Sequence, residues 1–251
     1  MTELCTTRRS CRLCNDYTLT KVFGLTPTPL ANAFVTEVAL GIEQPTFPLD
    51  IYFCENCAHV QLLDVVDPSV LFETYLYVSG TSPAFIAHFA DYANSITKAF
   101  SLRKSGGLVV DIGSNDGTLL NEFKNLGHEV LGIDPARDIA AKATAGGIET
   151  LATFFSADLA QSIRDERGAA RIITANNVFA HADDLKGIAR GVRTLLAPDG
   201  VFVFEVSYLL DLLEQTLFDT IYHEHLDYHS IFPLLPFLKK FGLRIFHAER
   251  V

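Results

Sequence analysis

From residue 108 onward the chain alternates short apolar runs with amphipathic stretches. Leu108-Val109-Val110-Asp111-Ile112 has the length and texture of a buried strand, and residues 130–133, 171–175 and 201–206 repeat it. Between these runs, residues 119–126, 136–145, 156–167 and 183–196 read as helices, the last stopped by Pro198-Asp199-Gly200. Short strands apolar on both faces, each followed by an amphipathic helix, predict an α/β fold whose open, mainly parallel sheet is covered on both sides. Ligands of such sheets sit beyond the carboxyl ends of the strands. Residues that close each strand are therefore the first candidates for chemistry.

Residues 1–80 have another texture. Pro27, Pro29, Pro45 and Pro48 break them up, and the run Leu49-Asp50-Ile51-Tyr52-Phe53-Cys54 reads as a strand turning through a cysteine pair. This predicts a small domain over 1–80 and a larger one over 81–251. Pro83, following a Ser-Gly-Thr-Ser segment, starts a predicted lead-in helix over 83–103 with apolar positions at Phe85, Ile86, Phe89, Tyr92, Ile96 and Phe100.

Four of the five cysteines form two CxxC pairs, Cys11 with Cys14 and Cys54 with Cys57; Cys5 is left over. Two such pairs suit a tetrahedral thiolate zinc site of structural purpose, replacing apolar core that the small domain lacks. A redox pair needs only one CxxC, and four unrelated core thiols are the bland alternative.

Composition narrows the partners. The 251 residues carry 20 Lys and Arg against 30 Asp and Glu, a formal net charge of -10, with no basic block to track a phosphate backbone. Nucleic acid is not an expected partner. No apolar run reaches membrane-spanning length and the N-terminus is polar, so no membrane is expected and the cytoplasm is the expected location.

After the first strand comes Asp111-Ile112-Gly113-Ser114-Asn115-Asp116-Gly117, a loop with two glycines and three acids or amides. A dinucleotide site favours GxGxxG, and carboxylates here repel phosphate. Asp134 ends the second strand, where a carboxylate can accept both hydroxyls of a ribose. Together these fit an adenosine cofactor without phosphates. Alternatively, Asp111 is a helix cap and Asp134 a turn residue before Pro135.

On this loop and acid, the sequence resembles the class I S-adenosylmethionine methyltransferases. The resemblance implies that Asp111, Gly113, Asn115 and Gly117 hold the methionine part and Asp134 the ribose. It further implies that Asp158 lies near the adenine, and that Asn176 and Asn177 lie against cofactor and substrate. Asp158 could instead simply favour a helix dipole.

The densest polar cluster is Tyr222-His223-Glu224-His225-Leu226-Asp227-Tyr228-His229. It lacks HExxH spacing; His225 and His229 as a second metal site, or a surface loop, are the lesser readings. This segment, with CRLC, CENC, Tyr75 to Ser82, DIGSNDGTLL and NNVFAH, resembles the sugar C-methyltransferases of antibiotic biosynthesis. Those enzymes methylate carbon 3 of a 4-keto deoxysugar carried on thymidine diphosphate, using S-adenosylmethionine and a four-cysteine zinc domain. By that resemblance His225 is the base that forms an enolate, with Glu224, Tyr222, Tyr77 and His181 as further catalytic residues. Each tyrosine could instead be a packed aromatic and His181 a satisfied core histidine. The family continues into a further α/β domain, whereas residues 243–251 read here as a strand leading onward. That pattern suggests a truncated three-domain enzyme, or a partner domain or subunit that completes the site. A methyltransferase with another small acceptor and a non-catalytic zinc-bearing scaffold are the alternatives.

Overall fold

A computed structural model describes residues 4–73, 75–100 and 106–251. The first elements are β1 (Cys5–Thr7), β2 (Leu19–Thr28), β3 (Phe47–Cys54), β4 (Val60–Leu62), β5 (Asp64–Val66) and the short helix α1 (Pro68–Phe72). Then come α2 (Pro83–Ala99), β6 (Leu108–Ile112), α3 (Thr118–Asn125), β7 (Glu129–Ile133), α4 (Arg137–Ala145) and β8 (Thr150–Leu151). The chain continues through α5 (Ala157–Arg167), β9 (Ala170–Asn176), α6 (Leu185–Leu195), β10 (Leu196–Glu205), α7 (Leu209–Gln215), β11 (Asp227–Tyr228) and α8 (Ile231–Lys239). Two compact units result. One gathers Met1–Leu71, Phe179–Lys186 and Val206–Val251; the other gathers Phe72–Val178 and Gly187–Glu205. This partition is discontinuous where the sequence reading divides the chain once, near residue 80.

The second unit holds the expected parallel sheet, in the order β10-β9-β6-β7-β8. All five residues of β6 are buried, as a central strand covered on both faces requires. The strand order reverses at β6, with β7 and β8 to one side and β9 and β10 to the other. Such a reversal opens a crevice at the carboxyl ends of β6 and β9. On one face Phe89, Ala93 and Ile96 of α2 and Leu119, Leu120 and Phe123 of α3 pack with Val109, Ile172 and Val201 of the strands. Each fully buried side chain of this size stabilises by about 1.5–3 kcal/mol. Helix α2 is capped by the Ser82 hydroxyl, which accepts from Phe85 N, and has Pro at its start as expected. Its regular turns end at Ala99; the expected extension through Arg103 enters residues outside the described set.

The first unit contains an antiparallel sheet in the order β11-β4-β3-β2, and β1 pairs with β5. In β3, Phe47, Leu49 and Ile51 alternate inward. Leu49 and Ile51 meet Leu62, Val65, Leu226 and Tyr228 in a small core. Residues 227–228 thus become an edge strand of the cysteine-bearing sheet, paired to Val60 and Gln61. The expected strand over 243–251 is not formed: those residues follow α8 as irregular chain. Their apolar residues include the exposed Phe246, so no strand-like alternation into a core fixes them.

Candidate functional site

In the first unit, Cys11 Sγ lies 3.6 Å from Cys57 Sγ, and Cys14 Sγ lies 3.5 Å from Cys54 Sγ. All four ligand atoms lie within 4.8 Å of one another. Zinc–thiolate bonds of about 2.3 Å in a tetrahedron put sulfurs about 3.8 Å apart, whereas a disulfide needs about 2 Å. Two equivalent turns build the set. Asn15 N bonds to Cys11 O and Ala58 N to Cys54 O, and each turn closes on a left-handed residue, Asn15 with φ 66° and Ala58 with φ 61°. A thiolate is favoured within the set: Cys11 is lowered to about 4, chiefly by its bond with the Cys57 thiol, which is pushed up. The donor set fits a structural zinc ion held by Cys11, Cys14, Cys54 and Cys57. Among the described residues this is the one group of His, Cys, Asp and Glu placed for a metal.

The cluster around His225 belongs to the same unit. His225 Nδ1 is 2.7 Å from the Thr220 carbonyl oxygen, which can only accept, so the proton sits on Nδ1. Its Nε2 therefore carries the lone pair and accepts from the Tyr222 hydroxyl at 2.9 Å. Burial lowers the His225 pKa, although the Thr220 bond opposes the shift. Burial, reinforced by Glu224, pushes the Tyr222 phenol up to about 12 and keeps it a proton donor. The ring of His181 lies 4.9 Å from that of His225. Burial, then the neighbouring His225, lowers His181 to about 3, so it is neutral. Buried Glu224 accepts from Asn32 Nδ2 at 3.1 Å. His229 donates through Nε2 to Phe179 O at 3.1 Å, which spends that nitrogen on structure.

Several partners of this cluster escape sequence reasoning: Asn32, Thr220, and Arg12 and His59, which meet the cluster's own Asp227. Arg12 stands between the first two cysteines. It reaches Asp183 at 2.9 Å, Leu226 O at 3.3 Å, and the Leu62 carbonyl. His59 Nε2 meets Asp227 Oδ1 at 2.6 Å. The CRLC turn and the polar segment are thus packed together. Only the proximity of Arg12 and His59 to the CxxC pairs hinted at them.

In the second unit the loop after β6 is built for close approach. Gly113 has φ 71°, and a Cβ there would lie 2.3 Å from Val178 Cγ2. Gly117 has φ 80° and heads α3, where a Cβ would meet Ile148 at 2.9 Å. Asp134 accepts from Asn115 N and Ala136 N, both at 2.8 Å, and each carboxylate oxygen retains a second lone pair for a ribose hydroxyl. Asp111 lies beneath the loop, where Thr174 Oγ1 donates to it at 2.6 Å and burial raises its pKa to about 7. Asn176 Oδ1 accepts from the Tyr92 hydroxyl at 3.0 Å, but its buried Nδ2 has no partner among the described residues. Asn177, at φ 54°, donates its backbone N–H to Glu205 O. The Asp134 lone pairs and the orphaned Asn176 Nδ2 together fit an adenosine-type cofactor. Asp158 sits elsewhere in character: it is exposed in the first turn of α5, where it favours the helix dipole.

Asn115 directs its side chain away from a simple ligand role. Oδ1 accepts from Ser79 N and Nδ2 donates to Tyr77 O, each at 2.9 Å. Asp116 Oδ2 accepts from Gly80 N at 2.9 Å. Residues 77–80 thereby form a strap on the loop, and Tyr77, 44% exposed, packs edge-on to Phe85.

Among the described residues no helix is long and apolar enough to cross a membrane. A zinc binding domain model matches residues 11–72. The C-methyltransferase NovU of Streptomyces niveus is 37% identical over 235 residues, 94% of this chain, which spans only 56% of that relative's length. Of solved structures, a SAM dependent methyltransferase from Agrobacterium tumefaciens is 16% identical, covering 49% of this chain and 44% of its own, at a TM-score of 0.39. DesVI of Streptomyces venezuelae is also 16% identical, covering 48% and 52%, at the same TM-score. Overlaps this loose bear on neither substrate nor mechanism. A methyltransferase domain model matches residues 86–248, well over half of the sequence, and with its parallel sheet and switch-point glycine loop the chain belongs to the class I methyltransferase family, joined to a small four-cysteine zinc module.

Proposed function

We propose that the chain is an S-adenosylmethionine-dependent C-methyltransferase acting at carbon 3 of a 4-keto deoxysugar linked to thymidine diphosphate, within antibiotic sugar biosynthesis. The observation that carries the proposal is the tautomer of His225. A Thr220 carbonyl on Nδ1 leaves a neutral imidazole with its Nε2 lone pair directed outward to Tyr222. Neutral histidine is a base matched to a carbon acid that an adjacent ketone has activated. The name of the relative from Streptomyces niveus, a C-methyltransferase, supports carbon as the acceptor.

Bound S-adenosylmethionine supplies an electrophilic methyl group. His225 Nε2 takes the proton from the carbon beside the ketone and the C–H electron pair becomes the enolate; that carbon would take the methyl as the sulfur–methyl bond breaks, its electron pair stays on sulfur and S-adenosylhomocysteine leaves. Tyr222 must release Nε2 for this step, and its hydroxyl then donates to the enolate oxygen. Tyr77 is a second donor to that oxygen. Glu224, fixed by Asn32, contacts the sugar, and neutral His181 supports the base. Asp134 holds the ribose, while the Gly113 backbone, Asn176 and Asn177 line the methionine side. Asp111 sets the loop from beneath and Gly117 starts α3 behind it. Thiols kept for zinc accord with a reducing cytoplasm.

Mass-spectrometric product analysis with nucleotide-linked 4-keto sugars tests carrier, acceptor and reaction together. A product heavier by one methyl on carbon is expected. In parallel, H225A should abolish solvent exchange at the carbon beside the ketone while leaving cofactor affinity nearly unchanged. Persistent exchange in H225A removes His225 as the base.

A further inference from the structure

Sequence reasoning makes Asn115 a cofactor ligand, yet its side-chain amide is spent on protein. Oδ1 accepts from Ser79 N and Nδ2 donates to Tyr77 O, a pair of bonds that brackets Val78 as a neighbouring strand would. An amide can do this because it offers one acceptor and one donor in a plane, like a peptide group. The position also demands φ 51°, a left-handed conformation that asparagine tolerates better than most residues. Glutamine has the amide but less tolerance of that backbone; aspartate has the tolerance but no donor. Meanwhile the backbone N–H of Asn115 donates to Asp134 Oδ2 at 2.8 Å.

One residue therefore stands between the second-strand acid and the strap that carries Tyr77. Its neighbour reinforces the link. Asp116 Oδ2 accepts from Gly80 N, and a Cβ at Gly80 would lie 2.5 Å from that same oxygen, so strap and loop approach closely only with glycine at 80. The strap's own backbone contributes one short 3-10 turn over Ser79–Thr81. Its attachment to the loop comes from side chains of Asn115 and Asp116.

We propose that Asn115 is a positioning residue that couples occupancy of Asp134 to the placement of the 77–80 strap, and through it the Tyr77 phenol. The proposal rests on the S-adenosylmethionine reading given above. Its consequence is ordered binding: the cofactor fixes Asp134 and Asn115 first, the strap settles, and the acceptor meets a placed phenol. Asn115 acts through Tyr77 and touches no reacting atom.

The test is hydrogen exchange at the Ser79 and Gly80 amides of the full, zinc-loaded chain, with and without S-adenosylhomocysteine. N115G keeps the left-handed backbone unstrained and removes both side-chain bonds; D116S keeps a cap for Thr118 and removes the bond to Gly80. Without ligand, exchange at these amides should rise about tenfold in N115G, and less in N115D, which keeps only the acceptor. S-adenosylhomocysteine should slow strap exchange in the wild type and in D116S, but not in N115G. In turnover, kcat of N115G should fall by more than its cofactor KM rises. Strap exchange in N115G equal to wild type overturns the proposal. So does a wild-type strap that ignores bound S-adenosylhomocysteine. If calorimetry finds no binding to the wild type while N115G still frees the strap, the cofactor reading fails and the coupling with it, but the attachment stands.

Discussion

Arg12 Nε and Asp227 Oδ2 stand 3.8 Å apart, and neither side chain has any exposed surface. The arginine belongs to the first CxxC turn and the aspartate to the segment two residues beyond His225. The His225 segment is thus anchored on the cysteine module by a buried charge pair, with His59 on the other carboxylate oxygen. Removing one partner strands a charge that burial makes expensive. We expect R12M to lower unfolding free energy by about 3–5 kcal/mol in denaturant titrations, with R12M/D227L much less affected. A double variant whose loss equals the sum of R12M alone and D227L alone would show that the two charges do not interact.

Metal removal should act through the same anchor. Chelation of the four thiolates is expected to loosen β3, β4 and the paired β11, and with them the His225 segment. Metal analysis should return one zinc per chain, and near-ultraviolet circular dichroism should collapse on chelation. Protein that keeps its signal after losing its zinc would separate the metal from the fold.

Acidity should reveal His181 and His229. Burial, the largest cause for both, lowers them from 6.5 to about 3 and about 4. Below pH 6.5 the unfolded chain takes up protons that the folded chain refuses, so stability falls with pH through this window. Asp111 works in the opposite sense. Its pKa is raised from 3.8 to about 7, so the folded state keeps a proton that the unfolded state gives up as pH rises from 3.8. D111N, measured by thermal denaturation against pH, should therefore lose more stability on acidification than the wild type does. An unchanged pH slope would mean that Asp111 does not hold its proton.

Tyr222 should tune the base. Its hydroxyl donates to the neutral imidazole of His225, whose pKa burial has already lowered from 6.5, so kcat/KM should decline only below that pH. Y222F removes a bond made to the neutral form, which must raise the His225 pKa. The acid limb of kcat/KM should shift upward and kcat should fall by about 10²-fold through loss of an enolate donor. A limb that moves to lower pH would contradict the assigned tautomer.

Gly113 offers a steric test. G113A meets Val178 Cγ2 at 2.3 Å and also forces a positive φ. We expect loss of S-adenosylhomocysteine binding by calorimetry. V178A in the same chain should restore part of it, because the clash is relieved while the backbone strain of about 1–2 kcal/mol remains. No recovery at all would place the defect elsewhere.

What depends on near neighbours is legible in the chain's own order of residues. Strand and helix periods in residues 108–205 predicted the parallel sheet, because a buried strand and its covering helix each declare their faces locally. The two CxxC pairs announced the metal set, since each knuckle closes within five residues. The loop glycines declared a tight approach in the same way. Which partners those residues meet depended on distant chain. Asn32 holds Glu224. Arg12 reaches Asp227, and Asn115 turns from the ligand role the motif suggests to the backbone of residues 77–79. Hydrogen bonds of this kind join residues far apart in sequence and leave no period to read. Tertiary structure alone also decided that residues 179–186 and 206–251 fold with the cysteine module. The pairing of Asp227 and Tyr228 onto β4 shows why: a two-residue edge strand is made by the neighbour it finds, not by its own sequence.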